Sequence, residues 1–335
     1  MSRRALAARA LDATGAGWAA RRLGRWDGVL VLNYHRVGDW SDDRWDTDVW
    51  SASAEQLEDQ FALFARETEV LPVEAIPDAV RAGRGRRIAI TFDDGYRDNH
   101  DVALPLLRAH DLPATFFVAT GFVDRPRVPW WDELCWMIRT SQRDGIPATD
   151  PLREPLAWTT PAERTAAIAR LIAAGKTLPP AAIDGLLDRV GEAAGTGRCD
   201  PATWADRWMT WDMVRALRDG GMSVGGHTVD HPVLARLSVA EQRDEVAACA
   251  RRLREELGQA MTLFSYPVGT PGTFDARTAA VLHDAGVRLA FAYDGGVASQ
   301  SAWDPLEVPR ASVWAAMSRA DVRALVTAPR TFARW

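Results

Sequence analysis

Two adjacent carboxylates, Asp93 and Asp94, stand at the end of an apolar run and are followed at once by Gly95. The run 87–92 (RIAITF) is typical of a buried strand, and a turn after it would present both acids at the strand's carboxyl end. Neighbouring carboxylates repel each other unless their roles differ. A cation held by one of them would leave the other as a free base. The plain alternative is a turn in which Asp-Asp-Gly only caps the next helix.

A pair of histidines, His227 and His231, follows a second short apolar run at 222–226 (MSVGG). Residues four apart share one face if the chain makes a helical turn. Imidazole is a common ligand of zinc, and two histidines with one carboxylate leave coordination positions open for water. A lone histidine here would usually be structural, but the chain has six histidines in all and two of them have ligand spacing. We therefore predict a metal site formed by Asp94, His227 and His231.

The two motifs together, TFDDGY at 91–96 and HTVDH at 227–231, resemble the first two motifs of the NodB-type polysaccharide deacetylases, a carbohydrate esterase family. The resemblance extends from about Val29 to Val326. It implies that Asp93 is the catalytic base. It also implies that Asp94, His227 and His231 hold a divalent metal ion, usually zinc.

The general acid is predicted from a different stretch, 28–35 (GVLVLNYH), which is typical of a strand that is buried on both faces and ends in His35. The following YHRV pattern resembles the exopolysaccharide-associated branch of the family, in which a histidine near the N-terminus is the acid. The Leu-x-His motif of the more familiar branch does not occur near this C-terminus. The resemblance therefore implies His35 as the acid; the alternative is a buried histidine that satisfies backbone groups beside the site.

The stretch 264–269 (FSYPVG) resembles a third motif of the family, which forms one wall of the site. This stretch makes Tyr266 and Pro267 candidate substrate-contacting residues. Many members have an arginine here that holds the base, whereas this chain has Ser265. Arg310, after another apolar stretch, is predicted to supply that guanidinium, with Asp304 as an alternative supporting carboxylate. The backbone N–H of Tyr96 is a candidate oxyanion donor.

The elements that must position these residues alternate between strand and helix from about residue 28 to residue 326, at the spacing of βαβ units. Strands are predicted at 69–71, 88–92, 114–119, 223–226, 263–266, 289–293 and 306–311. A helix beginning after Ser238, with Glu241 three residues on, has the capping-box pattern. We predict an α/β fold, a distorted and incomplete (β/α) barrel, with the candidate residues on its carboxyl-end rim.

The segment from about Asp124 to Trp208 interrupts this alternation and is predicted to be a helical insertion that walls or covers the substrate groove. Its tryptophans include Trp130, Trp131, Trp204 and Trp208. Indole faces commonly stack on sugars, so these residues are candidates for substrate contact, above all Trp130 and Trp131. Packing within the insertion is the alternative role for each of them.

Residues 1–26 are basic and alanine-rich and predict a helix that precedes a barrel domain at 27–335. No secretory signal or apolar stretch long enough to span a bilayer is recognised, and three scattered cysteines indicate reduced thiols. These features predict a cytoplasmic protein, with peripheral membrane contact of the N-terminal helix as a second interpretation. A net charge of −5 argues against a nucleic-acid partner.

The function implied by the resemblance is metal-dependent hydrolysis of an N-acetyl group on an amino-sugar glycan or a lipid-linked sugar. The same site would also suit an O-deacetylase, a deformylase or a hydrolase of small cyclic amides. A glycan-binding module without catalytic activity is an alternative of another class, although the complete set of two aspartates and two histidines argues against it.

Overall fold

The computed structural model describes residues 3–13, 17, 24–39 and 44–333. The helices among these residues are α1 (Arg3–Ala13), α2 (Ala54–Glu67), α3 (Ile76–Arg81), α4 (Leu104–Ala109), α5 (Thr120–Asp124), α6 (Trp130–Thr140), α7 (Pro161–Gly175), α8 (Ile183–Ala194), α9 (Trp211–Asp219), α10 (Val239–Leu257), α11 (Ala276–Asp284), α12 (Arg319–Thr327) and α13 (Pro329–Phe332). A π-helical turn at Asn99–Ala103 leads into α4.

The strands are β1 (Trp26–Asp27), β2 (Val29–Tyr34), β3 (Arg36–Val37), β4 (Trp50–Ala52), β5 (Glu69–Val70), β6 (Arg84–Gly85), β7 (Arg87–Phe92), β8 (Thr115–Val118), β9 (Gly145–Ile146), β10 (Leu156–Ala157), β11 (Ser223–Gly226), β12 (Leu263–Ser265), β13 (Leu289–Phe291) and β14 (Ala311–Ser312). Seven of them form one parallel sheet in the order β13-β12-β11-β8-β7-β2-β14, and β5 pairs with the start of β7. Helices cover the sheet, as expected when parallel strands are buried on both faces. This architecture confirms the predicted incomplete (β/α) barrel.

The seam of the barrel differs from the predicted strand at 306–311. Val308 forms an isolated parallel bridge to Phe291 of β13, and only Ala311 and Ser312 pair with β2. Pro309 lies between the two pairings and has no N–H to donate to a ladder. The chain therefore crosses from one edge strand to the other within a few residues, and Arg310 lies in this crossing.

Local sequence signals explain how several helices begin. The predicted capping box is present at the start of α10, where the Ser238 side chain accepts the N–H of Glu241 and the Glu241 side chain accepts the N–H of Ser238. Thr210 caps α9 by accepting the N–H of Met213. Such caps satisfy N–H groups that have no partner within the helix.

The insertion between β8 and β11 contains α6, α7 and α8, together with a hairpin of β9 and β10 that the sequence analysis did not predict. It has an apolar core of its own, which includes Leu134, Ile138, Leu171, Leu186 and Val190. A second cluster of aromatic residues packs it onto the barrel: Trp45, Tyr96, Phe122, Trp131, Trp204 and Trp208. Because this contact includes Tyr96, the insertion is fixed close to the Asp93–Asp94 turn.

The helix predicted over residues 1–26 falls partly outside the described residues. Its described part, α1, packs against α12, and Ala8 is fully buried there. Among the described residues, no helix is long and apolar enough to cross a bilayer.

Candidate active site

The predicted site residues lie where the central strands end. Asp93 and Asp94 follow β7, His227 and His231 follow β11, and His35 follows β2. Asp94, Thr228 and His231 have left-handed backbone angles, with φ of 78°, 65° and 54°. Such conformations are uncommon outside glycine and occur preferentially at functional sites, because surrounding contacts must hold them in place.

Asp94, His227 and His231 are buried and bring one ligand atom each within 4.8 Å of one another. The Oδ1 atom of Asp94 lies 3.2 Å from Nε2 of His227 and 3.4 Å from Nε2 of His231. Ligand atoms about 2.0–2.1 Å from a tetrahedral zinc ion lie about 3.4 Å apart. The spacing of these three atoms therefore fits a metal ion between them.

The tautomer of His227 supports the same conclusion. Its Nδ1 lies 2.7 Å from the carbonyl oxygen of Ser265, which can only accept, so Nδ1 carries a proton and Nε2 presents a lone pair whenever the ring is neutral. That lone pair faces Asp94 Oδ1, which is buried and accepts no hydrogen bond from a described residue. Two acceptors held face to face require a cation or a proton between them.

The electrostatics of the three ligands are coupled. Burial favours the neutral carboxyl of Asp94, but the imidazoles of His227 and His231 outweigh it and lower the pKa of Asp94. Burial and the neighbouring His227 lower the pKa of His231 to about 3, so this ring is neutral and able to ligate. Burial alone would lower the pKa of His227, but Asp93 and Asp94 outweigh it and the pKa is raised.

The loop that carries both histidines is held from three sides. Thr228 Oγ1 accepts the N–H of His231 at 3.0 Å, and Glu245 of α10 accepts the N–H of Val229 at 2.9 Å. The Trp131 ring of the insertion packs against the His231 ring, with centroids 4.7 Å apart. Helix α6 of the insertion thus contributes directly to the wall of the candidate metal site.

Asp93 is paired with Arg310 through two hydrogen bonds. Nη1 of Arg310 donates to Oδ1 at 2.8 Å and Nη2 donates to Oδ2 at 2.7 Å, and the side chains are 0% and 3% exposed. Ser265 Oγ donates to Asp93 Oδ2 at 3.1 Å and accepts from Arg310 at 2.8 Å. Burial favours the protonated acid, but the Arg310 guanidinium outweighs it and holds the pKa of Asp93 well below its usual range.

Residues beneath this pair hold the guanidinium in place. Arg310 also donates to Asn33 Oδ1 at 2.9 Å, to Thr91 Oγ1 at 3.2 Å and to the carbonyl of Ala292. Asn33 and Thr91 are opposite each other in the β2–β7 register. Neither residue was predicted from the sequence, in which their signal is a polar residue at the same level of two otherwise apolar strands.

His35 follows the end of β2, which pairs with the end of β7 that leads into Asp93 and Asp94. Burial lowers the pKa of His35, and the charges of Asp94 and Asp93 partly oppose that effect. Its backbone N–H donates to Ser51 and its carbonyl accepts from Asn99, which fix the position of the residue. Its ring meets the edge of Tyr293, with centroids 6.2 Å apart, and Tyr293 was also missed from the sequence.

The remaining candidates have different environments. The N–H of Tyr96 has no hydrogen-bond acceptor among the described residues. In the bridge between Tyr96 and Trp208, the hydrogen bonds are formed by the carbonyl of Gly95 and the N–H of Arg97, on either side of Tyr96. Tyr266 is not part of the Asp93 cluster: its hydroxyl donates to the Leu306 carbonyl and its ring stacks on Phe274. Pro267 is buried beside it.

Two of the insertion's tryptophans, Trp204 and Trp208, are buried in the aromatic cluster, which agrees with packing. Trp130 is half-buried and packs edge-on against Trp131. Asp304 accepts the N–H of Leu306 on the surface and is not part of the network around Asp93.

Comparison with known proteins supplies an independent result. Residues 81–147 and 191–290 match the family model described as Polysaccharide deacetylase. An alignment of 116 residues, which covers 32% of this chain, is 31% identical to the poly-beta-1,6-N-acetyl-D-glucosamine N-deacetylase of Escherichia coli (strain K12). This match spans 17% of that relative's length.

Solved structures resemble the whole barrel. The Streptococcus pyogenes deacetylase PplD, in complex with acetate, is similar with a TM-score of 0.58 and 18% identity, over 87% of this chain and 94% of that one. IcaB from Ammonifex degensii is similar with a TM-score of 0.54 and 20% identity, over 92% of this chain and 98% of that one. At these identities the similarity establishes a common fold.

Proposed function

Because this chain belongs to the polysaccharide deacetylase family, we propose that it hydrolyses the N-acetyl group of an amino sugar within a glycan. The proposal is supported most directly by one juxtaposition: a buried Asp-His-His cluster beside a second aspartate that an arginine keeps ionised. An N-acetylglucosamine polysaccharide is the substrate class we favour, in line with the name of the Escherichia coli relative that is 31% identical over 116 residues.

Asp94, His227 and His231 would hold a divalent metal ion, and we propose zinc. Two imidazoles and one carboxylate are a typical zinc donor set that leaves positions open. When bound, the ion supplies Lewis-acid chemistry, polarising the acetyl carbonyl and lowering the pKa of water.

Asp93 is proposed to take the proton of the attacking water. An ionised carboxylate is needed for this step, and the guanidinium of Arg310 favours that form by lowering the pKa of Asp93 against the effect of burial. The two hydrogen bonds from Arg310 and the one from Ser265 also fix the direction of the carboxylate, so little reorganisation is required when the proton moves.

The backbone N–H of Tyr96 is proposed to stabilise the tetrahedral oxyanion. A donor that is already oriented and has no competing acceptor is worth about 2.7–4 kcal/mol in such a role. His35 is proposed to protonate the departing nitrogen, because an amide nitrogen leaves poorly as an anion. Its place after β2, next to the strand end that carries Asp93 and Asp94, supports that assignment.

The test combines metal analysis with acetate release from N-acetylglucosamine oligosaccharides, with and without chelator. We expect chelator-sensitive acetate release from the wild-type chain. Asp93→Asn should abolish turnover and retain the metal, whereas Asp94→Asn should lose both. Asp46→Asn makes the same change at a buried aspartate outside the cluster and should retain both.

Two outcomes would count against the proposal. Loss of metal in Asp93→Asn would refute the division of roles between the two aspartates. A wild-type chain that contains metal but releases no acetate from any N-acetylated oligosaccharide would refute the reaction itself.

A further inference from the structure

A cavity of about 1000 Å³ lies between the insertion and the barrel, next to the candidate metal site. His231 belongs to both, since it lines the cavity and its Nε2 lies 3.4 Å from Oδ1 of Asp94. Neither Asp93 nor Asp94 lines this space. The cavity therefore adjoins the metal site through the side chain of His231.

One wall of the cavity lies outside the stretches that match the family model. The family match leaves out residues 148–190, between its two matched stretches. The cavity is lined from that unmatched segment by Gly175, Leu178, Pro180, Ile183, Asp184 and Leu187. A site built on this wall would distinguish this protein from family members that lack the segment.

Trp130 gives the cavity an aromatic lining. The residue is half-buried, and its ring is held between Trp131 and Gly175, where a Cβ on the glycine would lie 2.6 Å from the indole. Only glycine at position 175 leaves room for this ring. An indole held in this way can stack on the apolar face of a sugar and attracts cations to its π-face.

The charges that line the cavity are mainly negative. Six carboxylates and three guanidinium groups contribute to it. Arg127 is paired with Asp230, and Arg198 with Glu133 and Asp184. Four charged lining residues form no ion pair with a described residue. Three are carboxylates on α10, Glu241, Asp244 and Glu245, and one is the guanidinium of Arg125.

These carboxylates do not form a metal site. Among the residues that the structure describes, the Asp94 cluster is the one group whose ligand atoms converge. Carboxylates along a helix and an indole that line the same cavity are suited to an organic cation that also has apolar surface. De-N-acetylation of an amino sugar produces such a group, because the released amine takes up a proton.

We propose that this cavity is a binding subsite for a deacetylated amino-sugar unit, so that the preferred substrate is a partly deacetylated polymer with a free ammonium group near the acetylated unit. The inference rests on the proposed deacetylase function. Deacetylation of one unit then favours binding of the chain for reaction at another.

The test is a binding measurement that does not depend on turnover. Affinities of the full-length Asp93→Asn chain are measured by calorimetry at about pH 6, where such an amine is protonated. The probes are a fully deacetylated glucosamine oligosaccharide and its N-acetylated counterpart of equal length. We expect tighter binding of the deacetylated probe at low salt, and loss of that difference near 1 M salt, where the Debye length is about 3 Å.

Single-charge variants locate the effect. Asp244→Asn and Glu241→Gln should each weaken binding of the deacetylated probe by about two- to fivefold and leave the acetylated probe unaffected. Gln retains the capping box at position 241, so the helix start is preserved. The matched control is Glu163→Gln, which removes the same charge from another capping box, outside the cavity, and should change neither affinity.

Equal affinity for both probes, or no effect of the α10 variants, would overturn the inference. Acetate release by the wild-type chain from the fully acetylated oligosaccharide is measured in parallel. Release without charge-dependent binding rejects the subsite alone, whereas absence of release rejects the proposed function.

Discussion

Replacement of Arg310 by methionine tests the central electrostatic argument, because it removes a charge while keeping much of the side chain's length. Arg310 and Asp93 form two hydrogen bonds of 2.8 and 2.7 Å with almost no exposure to water. Opposite charges about 4 Å apart interact by about 4 kcal/mol at an effective dielectric constant of about 20. That energy corresponds to a rise of about 3 pH units in the pKa of Asp93.

The assay is kcat/KM for acetate release as a function of pH. In the wild-type chain Arg310 lowers the pKa of Asp93, so we expect protonation of Asp93 to set no acid limb in the profile. In Arg310→Met the carboxyl is buried without its counter-charge, and we expect an acid limb to appear at or above the normal range for an aspartate. Arg310→Lys keeps a charge without the two parallel N–H donors and should give an intermediate profile.

Unfolding in urea gives a second readout. The depressed pKa of Asp93 in the wild-type chain contributes stability that is present above the unfolded pKa and is lost as the pH falls below about 4. In Arg310→Met we expect the pKa of Asp93 to lie above its value in the unfolded chain. The pH dependence of its contribution to the free energy of unfolding then reverses, and that contribution is more favourable at acid pH. The variant should lose about 3–5 kcal/mol near neutral pH and less near pH 4.5.

Arg198→Met is the control, since it removes another arginine from a buried carboxylate, Glu133, outside the catalytic cluster. It should reduce stability without creating an acid limb. An Arg310→Met profile that matches the wild type at acid pH would refute the reasoning, because Asp93 would then not be the base or Arg310 would not set its ionisation.

Three further predictions concern the surroundings of the site. Gly226→Ala places a Cβ 2.2 Å from the sulfur of Met261, directly before the ligand His227. We expect the free energy of unfolding in urea to fall by about 1–3 kcal/mol and the metal content to fall as well. An unchanged metal content would show that the strain at position 226 does not reach His227. Chelation should lower the Tm of the wild-type chain and leave the Tm of Asp94→Asn unchanged, because a bound ion stabilises only the chain that holds it. If the chelator shifted the Tm of both chains equally, Asp94 would not be a metal ligand. Burial, partly opposed by Arg36, raises the pKa of Asp98 to about 6, so its contribution to stability decreases as the pH rises from about 4 to about 6. The unfolding free energy of the wild-type chain minus that of Asp98→Asn should therefore decrease by up to about 3 kcal/mol over this range, and a pH-independent difference would contradict the assignment.

The sequence predicted those parts of the molecule that depend on local pattern. Alternating strands and helices indicated the barrel, and motif spacing led to Asp94, His227 and His231, whose ligand atoms the structure brings together. The capping box at Ser238 was also readable, because it depends on four consecutive residues. Each of these signals depends on neighbours in the chain or on one residue per strand end.

Other features depend on contacts between distant segments. The roles of Asn33 and Thr91 follow from the strand register, which a single sequence does not specify. The hydroxyl of Tyr266 donates to the Leu306 carbonyl from 40 residues away, so a residue inside a recognised motif packs away from the Asp93 cluster. The β9–β10 hairpin has two residues in each strand, too few for an alternating pattern to be visible.

The incomplete closure of the barrel and the ionisation of Asp93 have a common structural origin. A regular strand at 306–311 would pair along its whole length, but this segment pairs at Val308 and again at Ala311, on opposite sides of the seam. Between these points Arg310 enters the barrel interior, over the ring of Phe117, where it reaches both carboxylate oxygens of Asp93. The motif that holds the base in many relatives has Ser265 here, and its hydroxyl bridges Arg310 and Asp93. The guanidinium is thus supplied by the seam instead of by the motif. Substitutions that lengthen the pairing across this seam should therefore change the pH profile of activity even where they leave every metal ligand in place.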